Sequence, residues 1–246
     1  VNYTTDNYIE LNKRKRKDLF KTLKVLSDKE KCKRRNYNNC YTKRKIEGRV
    51  FEGEWQDGCL TGNGKIIFPS GFIQYGRFLC GIPSGKIVTF TENKENKSKF
   101  IRIGNFKNEV GNGPMTEITI DDQGTSYIIG NNKNALFEGL FLKVIKTDKD
   151  LTFFSSNTLN HEYHGWVFTL KYNLHTKKIE YKNYFTVHEG KSHGAFFHLD
   201  ADGSYQLTSY INDVQTGSTI EYDAKNKKLI KSDVYNGYLN GYGIII

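Results

Sequence analysis

Phe51-Glu52-Gly53-Glu54-Trp55-Gln56-Asp57-Gly58-Cys59-Leu60-Thr61-Gly62-Asn63-Gly64 is the stretch from which the rest of the chain can be read, and it runs on through Lys65-Ile66-Ile67-Phe68 to Pro69-Ser70-Gly71. Twenty-three residues on from the first copy, Gly76, Phe78, Gly81 and Gly85 take the places of Gly53, Trp55, Gly58 and Gly62. Near the other end, Gly237, Gly241 and Gly243 repeat the Gly-x-x-x-Gly-x-Gly spacing. Weaker copies keep Gly104, Phe106 and Gly113, or Gly190, Gly194 and Gly203. Following the Gly62 position alone gives Gly62, Gly85, Gly113, Gly139, Gly165, Gly194, Gly217 and Gly241, at intervals of 23 to 29 residues. Internal repetition of this length marks an array of supersecondary units.

A second kind of punctuation falls roughly midway between these glycines: Pro69-Ser70-Gly71, 92–96, Asp121-Asp122-Gln123-Gly124, 147–150, 173–176, Asp200-Ala201-Asp202-Gly203 and 223–226. These are turn compositions, because Gly supplies positive φ and Asn or Asp bonds its own backbone. Short alternating segments such as Glu117-Ile118-Thr119-Ile120 and Ser218-Thr219-Ile220-Glu221-Tyr222 lie between the marks and read as strands. Two alternating turn types joined by strands describe a continuous antiparallel meander of about eight hairpins. The fold class expected is therefore mainly β, an elongated single-layer hairpin array over 49–246, preceded by a basic helical arm over 1–48. Each repeat would contact mainly its neighbours. A propeller needs about 40 residues per blade, too many for this spacing. A large antiparallel barrel is the architectural alternative.

The segment Phe51-x-Gly53-x-Trp55-x-x-Gly58-x-x-x-Gly62-x-Gly64 resembles the MORN (membrane occupation and recognition nexus) repeat. The likeness is strong over 51–71, good over 74–85 and 234–243, and weak over 100–222, where the aromatic-Gly-aromatic opening is lost around 156 and 208. The resemblance implies a curved single-layered β-rod with aromatics stacked along one face. It also implies a mostly non-catalytic role in tethering membranes or scaffolding cytoskeletal assemblies.

Charge divides the chain. Residues 1–48 hold 15 Lys/Arg against 6 Asp/Glu, a net +9, while the rest is close to neutral at +1. A basic arm on a neutral body follows. Residues 8–35 read as helical: Asn7 and Glu10 can form a capping box, Leu19, Leu23 and Leu26 recur at helical spacing, and Ser27 with Glu30 offers a restart. The arm's Lys13, Arg14, Arg16, Lys17, Arg34 and Arg35 are the basic candidates for partner binding. An acidic protein surface is the first partner class and an anionic membrane surface the second. Nucleic acid ranks lower, because no recognition motif accompanies the charge. Of 34 aromatic side chains, Trp55 and Trp166 are the candidates for a partner-receiving strip, against mutual packing along one sheet face.

No run of about 18 apolar residues suggests a membrane span. Cys32, Cys40, Cys59 and Cys80 form no C-x-x-C pair; they read either as unrelated thiols or as two disulfides in an oxidising compartment. The chain starts at Val1, as a processed or trimmed product would, and stops at 243–246 as a further strand begins. That strand is either cut short or pairs with a partner, and open sheet ends allow oligomers.

Constellations for chemistry are weak. His161-Glu162-Tyr163-His164 has the wrong spacing for the helical zinc signature. His188, His193 and His198 straddle a turn and need not converge, and Asp200–Asp202 lacks the later ligands of a calcium loop. No nucleophile elbow or phosphate-binding glycine loop is present. No catalytic residue, metal ligand or cofactor is assigned. The expectation is a non-enzymatic scaffold or tether, cytoplasmic and cytoskeleton- or membrane-associated, that binds protein partners through the repeat surface and the arm. The alternatives are a secreted or host-directed effector of the same fold and a module for anionic lipid surfaces.

Overall fold

The computed structural model describes residues 29–33, 36–93, 95–159 and 162–240, together with the backbone of 244–245. These residues form two compact units, 1–91 and 92–246. The first holds β1 (Cys40–Ile46), β2 (Arg49–Gln56), β3 (Cys59–Ile67), β4 (Ile73–Leu79) and most of β5 (Ile82–Glu92). The second holds β6 (Lys99–Lys107), β7 (Val110–Ile120), β8 (Thr125–Lys133), β9 (Leu136–Lys146), β10 (Asp150–Leu159) and β11 (Glu162–Asn173). It continues with β12 (Lys178–His188), β13 (Lys191–Asp200), β14 (Tyr205–Ile211), β15 (Val214–Asp223), β16 (Lys228–Tyr235), β17 (Tyr238–Leu239) and β18 (Ile244–Ile245).

Within each unit successive strands pair antiparallel, β1 through β5 and β6 through β17, with β18 also on β16. Among the described residues no pairing joins the first strand of either unit to its last, so each is an open meander rather than a barrel.

Tight turns are set by left-handed residue pairs. Asp57/Gly58, Cys80/Gly81, Asn108/Glu109, Asn134/Ala135, Glu189/Gly190, Asn212/Asp213 and Asn236/Gly237 all have positive φ at both positions. This is the type I′ hairpin, whose twist matches that of the flanking strands. The Gly62-series glycines are not the turns. Gly62, Gly85, Gly113, Gly139, Gly194 and Gly217 sit four residues after the second turn residue, within a bulge. In β2–β3, Glu54 alone faces Thr61, Gly62 and Asn63, since Gly53 pairs Gly64 and Trp55 pairs Leu60. The same one-against-three bulge recurs in β4–β5, β6–β7, β8–β9, β12–β13 and β14–β15. Its glycine, central in each copy but the last, has φ between 77° and 109° at Gly62, Gly85, Gly113, Gly139, Gly194 and Gly217, which a side chain would strain. Bulges therefore belong to the repeat itself.

In each hairpin one inward position pairs with the residue five further on: Trp55–Leu60, Phe78–Pro83, Phe106–Gly111, Asn132–Phe137, Thr158–Tyr163, Val187–Ser192, Tyr210–Gln215 and Val234–Leu239. Trp55, Phe78, Val187 and Val234 are buried there as core side chains, and Asn132 and Thr158 are equally buried. Neighbouring hairpins are stitched at the same end. The second turn residue donates its N–H to a strand carbonyl of the preceding hairpin: Gly81 to Leu60 (2.7 Å), Ala135 to Gly111 (3.0 Å), Gly190 to Tyr163 (3.2 Å), Asp213 to Ser192 (2.9 Å) and Gly237 to Gln215 (2.9 Å).

The opposite ends turn on side-chain acceptors. Asp121, Thr147, Asn173, Asp202 and Asp223 each receive backbone N–H groups two or three residues on. Those N–H groups, Ser204's above all for Asp202 and Asn226's for Asp223, hold both carboxyls below the usual range. Asp200–Gly203 is thus a connecting turn.

The basic helix expected over 8–35 lies almost wholly outside the described residues. Where they begin, the chain is not helical. Residues 29–33 run beside β1: Cys32 donates to Tyr41 O at 2.9 Å, Tyr41 donates to Glu30 O at 2.7 Å, and Cys32 is bonded to Cys40. Pairing to the sheet edge and the disulfide hold residues 30–33 out of the helix expected there, while Ser27 lies outside the described residues. The sheet accordingly begins at Cys40, and the expected boundary at 48/49 falls in the turn between β1 and β2.

Candidate binding surfaces

Alternation along the strands gives the sheet of the second unit two different faces. One carries a run of rings across five strands. Phe168 on β11 meets Tyr184 on β12 (centroids 4.8 Å apart), Tyr184 meets Phe197 on β13 (6.4 Å), Phe197 meets Tyr205 on β14 (6.4 Å), and Tyr205 meets Tyr222 on β15 (5.4 Å). The cross-strand pairs Phe168–Tyr184, Tyr184–Phe197, Phe197–Leu207 and Leu207–Ile220 set the row. Rings packed edge to edge gain from each other, yet Tyr184 and Leu207 remain 44% and 45% exposed. Ile129 continues the row on β8 at 43%. So many large apolar groups on one face go beyond the scattered exposure normal for a soluble surface.

The other face holds the buried cluster Met115, Phe137 and Phe141, with Phe106, Ile128 and Phe154 against it. Beside the cluster lies a groove of about 290 Å³ lined by Arg102, Glu117, Asn132, Phe137, Phe141, Lys143, Thr158 and Tyr163, among others. Arg102, Glu117, Ile128 and Lys143 form one cross-strand row over β6 to β9. Arg102 Nε donates to Glu117 Oε1 at 2.7 Å. Lys143 is half-buried and makes no ion pair with a carboxylate among the described residues. Phe141 packs edge-on against Phe137, Phe154 and Tyr163. Asn132 is 7% exposed, and its Oδ1 accepts no hydrogen bond.

Of the residues read from the sequence as partner contacts, Lys13, Arg14, Arg16, Lys17, Arg34 and Arg35 lie outside the described residues. Trp55 is a core side chain instead, 1% exposed; its Nε1–H donates to Thr42 O at 3.2 Å and its ring packs on Phe51 and Tyr37. The bulge geometry directs it inward. Trp166 is 63% exposed. Between β10 and β11 the register slips with Gly165 and Trp166 unpaired to β10, and Trp166 takes the place after the repeat glycine that Leu140, 67% exposed, takes in the common bulge. The ring row and the groove were not singled out from the sequence, although the 168–222 aromatics at alternating positions were a readable signal.

The histidines part company. His164, His188 and His193 stand side by side, with centroids 5.1 and 6.0 Å apart, so His188 and His193 do converge, across a turn. His198 is bonded elsewhere, to Asn183 Oδ1, with Asp200 3.0 Å from its Nε2. His161 lies outside the described residues. Among the described residues no three His, Cys, Asp or Glu side chains are grouped to hold a metal ion.

All four cysteines pair in the first unit. Cys32 is bonded to Cys40 and Cys59 to Cys80, each pair with Cα atoms 4.8 Å apart, a separation usual for disulfides. Compared with protein families and with curated protein sequences, the chain matches none.

Proposed function

We propose that this protein is a non-enzymatic scaffold that binds protein partners along its hairpin array. The observation that carries the reading is the half-exposed ring row from Phe168 to Tyr222, on a sheet face where Tyr184 and Leu207 stay accessible. Extended apolar strips with aromatic anchors are what protein interfaces use. The resemblance of 51–64 to the MORN repeat, and the tethering and scaffolding roles it implies, point the same way. The basic arm of 1–48 adds a second contact, for an acidic protein surface or an anionic membrane.

The test is affinity capture followed by quantitative mass spectrometry, comparing the chain with its Tyr184→Lys/Leu207→Lys variant. Both positions are accessible, so the variant keeps its fold, and captured partners should drop at least about tenfold, a loss of ~1.4 kcal/mol or more. Equal capture by a folded variant would remove the ring row from the reading.

The two disulfides favour a second reading, a secreted or host-directed effector of the same fold, since such bridges persist in oxidising compartments. Non-reducing peptide mapping of the protein from its native source decides it: both bridges intact support export, and four free thiols oppose it.

A further inference from the structure

The groove beside Met115, Phe137 and Phe141 gains its meaning from the repeat. At the inward position of each hairpin stand Trp55, Phe78, Phe106, Asn132, Thr158, Val187, Tyr210 and Val234. Only in the two consecutive copies that line the groove is this buried position occupied by a small polar residue, Asn132 and Thr158. Thr158 is satisfied, because its Oγ1 donates to Gly139 O at 3.2 Å. Asn132 Oδ1 is not, and an unpaired acceptor at such depth carries a full desolvation cost. Phe137, Phe141 and Tyr163 present ring edges and faces around it, and Tyr163 is 38% exposed at the rim.

We infer that this groove is an anchor site for one Tyr or Trp side chain of a partner polypeptide, with an acidic residue next to it. A donor is required because the buried group left open is an acceptor. An aromatic body is required because the walls are rings, and because the missing volume is that of the aromatic side chain other repeats place at this position. About 290 Å³ lies at the small end of ligand pockets, and so fits one side chain rather than a nucleotide-sized cofactor. The acidic neighbour follows from the rim, where Glu117 is engaged by Arg102 while Lys143 has no carboxylate partner among the described residues. A rim charge of this kind selects partners by sign. The site lies on the face opposite the ring row and does not depend on it.

Fluorescence anisotropy with labelled, capped pentapeptides tests this on the full chain. The probes are a tryptophan flanked by aspartates, the same peptide with phenylalanine for tryptophan, and the same with lysines for the aspartates. The tryptophan–aspartate peptide should bind best. The phenylalanine peptide, which leaves the Asn132 acceptor unmet, should bind about tenfold more weakly, and the lysine peptide should bind more weakly still. Asn132→Leu should abolish the preference for tryptophan over phenylalanine while retaining binding, and Lys143→Glu should invert the preference for aspartate over lysine. Lys143 is only half-buried, so its variant carries the test even where Asn132→Leu fails to fold. Equal binding of the tryptophan and phenylalanine peptides overturns the inference. So does a preference untouched by Asn132→Leu, or no binding by the unaltered chain at millimolar peptide. Competition by free N-acetyltryptophanamide as strong as by the peptide would assign the groove to a small molecule and overturn the peptide occupant. Loss of peptide binding with partner capture intact would leave the scaffold reading standing without this site.

Discussion

Tyr41 on β1 donates its hydroxyl hydrogen to Glu52 Oε1 on β2 at 3.0 Å, while Lys65 Nζ on β3 reaches the other oxygen of Glu52 at 3.1 Å. Burial first, then the hydrogen bond and the negative charge of Glu52, push the Tyr41 phenol up to about 12 from 10.0. The folded state then holds this proton more tightly than the unfolded chain. Its contribution to stability is complete below pH 10.0 and is lost as pH rises toward 12. Tyr41→Phe should therefore flatten the alkaline loss of stability in chemical denaturation curves, and phenolate absorbance should show one late-titrating tyrosine missing from the variant. An unchanged alkaline slope would contradict the assignment. The same residue-level logic separates Trp55 from Trp166. Trp55 stands at the inward position seven residues before Gly62, whereas Trp166 directly follows Gly165 and is the outward neighbour of the buried Val167. The glycine register separates the two positions, and burial then shows that the first faces the core and the second does not.

At the scale of elements, the hairpin period, strand composition and Asx-type turns could all be read from the sequence, since Asp121-Asp122-Gln123-Gly124 and Asp200-Ala201-Asp202-Gly203 carry their own turn chemistry. The tight turns at Asn108/Glu109, Asn134/Ala135 and Asn212/Asp213 were hidden because none contains glycine. They adopt the left-handed pair because strand pairing and the turn-to-strand bonds of Ala135 and Asp213 over-determine it. The cysteine pairing was equally out of reach, because contacts across neighbouring hairpins depend on turn positions. Cys59 begins β3 and Cys80 is a turn residue between β4 and β5, so their bond ties one tight turn to the next. It parallels the Gly81 N–H bond to Leu60 O at 2.7 Å and closes a loop across a sequence separation of 21. Replacing both with serine should lower stability by about 3 kcal/mol, read as a shift in urea midpoint. Reductant should shift the midpoint of the unaltered chain but move the variant much less, and a variant as stable as the parent would contradict a formed bridge.

For the whole molecule, the glycine register led to an open antiparallel array, and its weak middle proved the most informative part. The aromatic lost near 156 was visible in the sequence. The groove beside it, whose unpaired acceptor belongs to Asn132 in the preceding copy, depends on the packing of Phe137, Phe141 and Tyr163 from other strands. In the same way, alternation predicts that aromatics share faces, but which face stays accessible follows from burial. The Phe168–Tyr222 face is the one we propose to receive a protein partner. Site-specific incorporation of a photo-crosslinking amino acid tests it most directly, at position 184 on that face and, as control, at the exposed position 221 on the opposite face. Discrete protein adducts are expected from 184, and none of the same identity from 221. Adducts from 221 alone, or an identical pattern from both positions, would contradict the proposal.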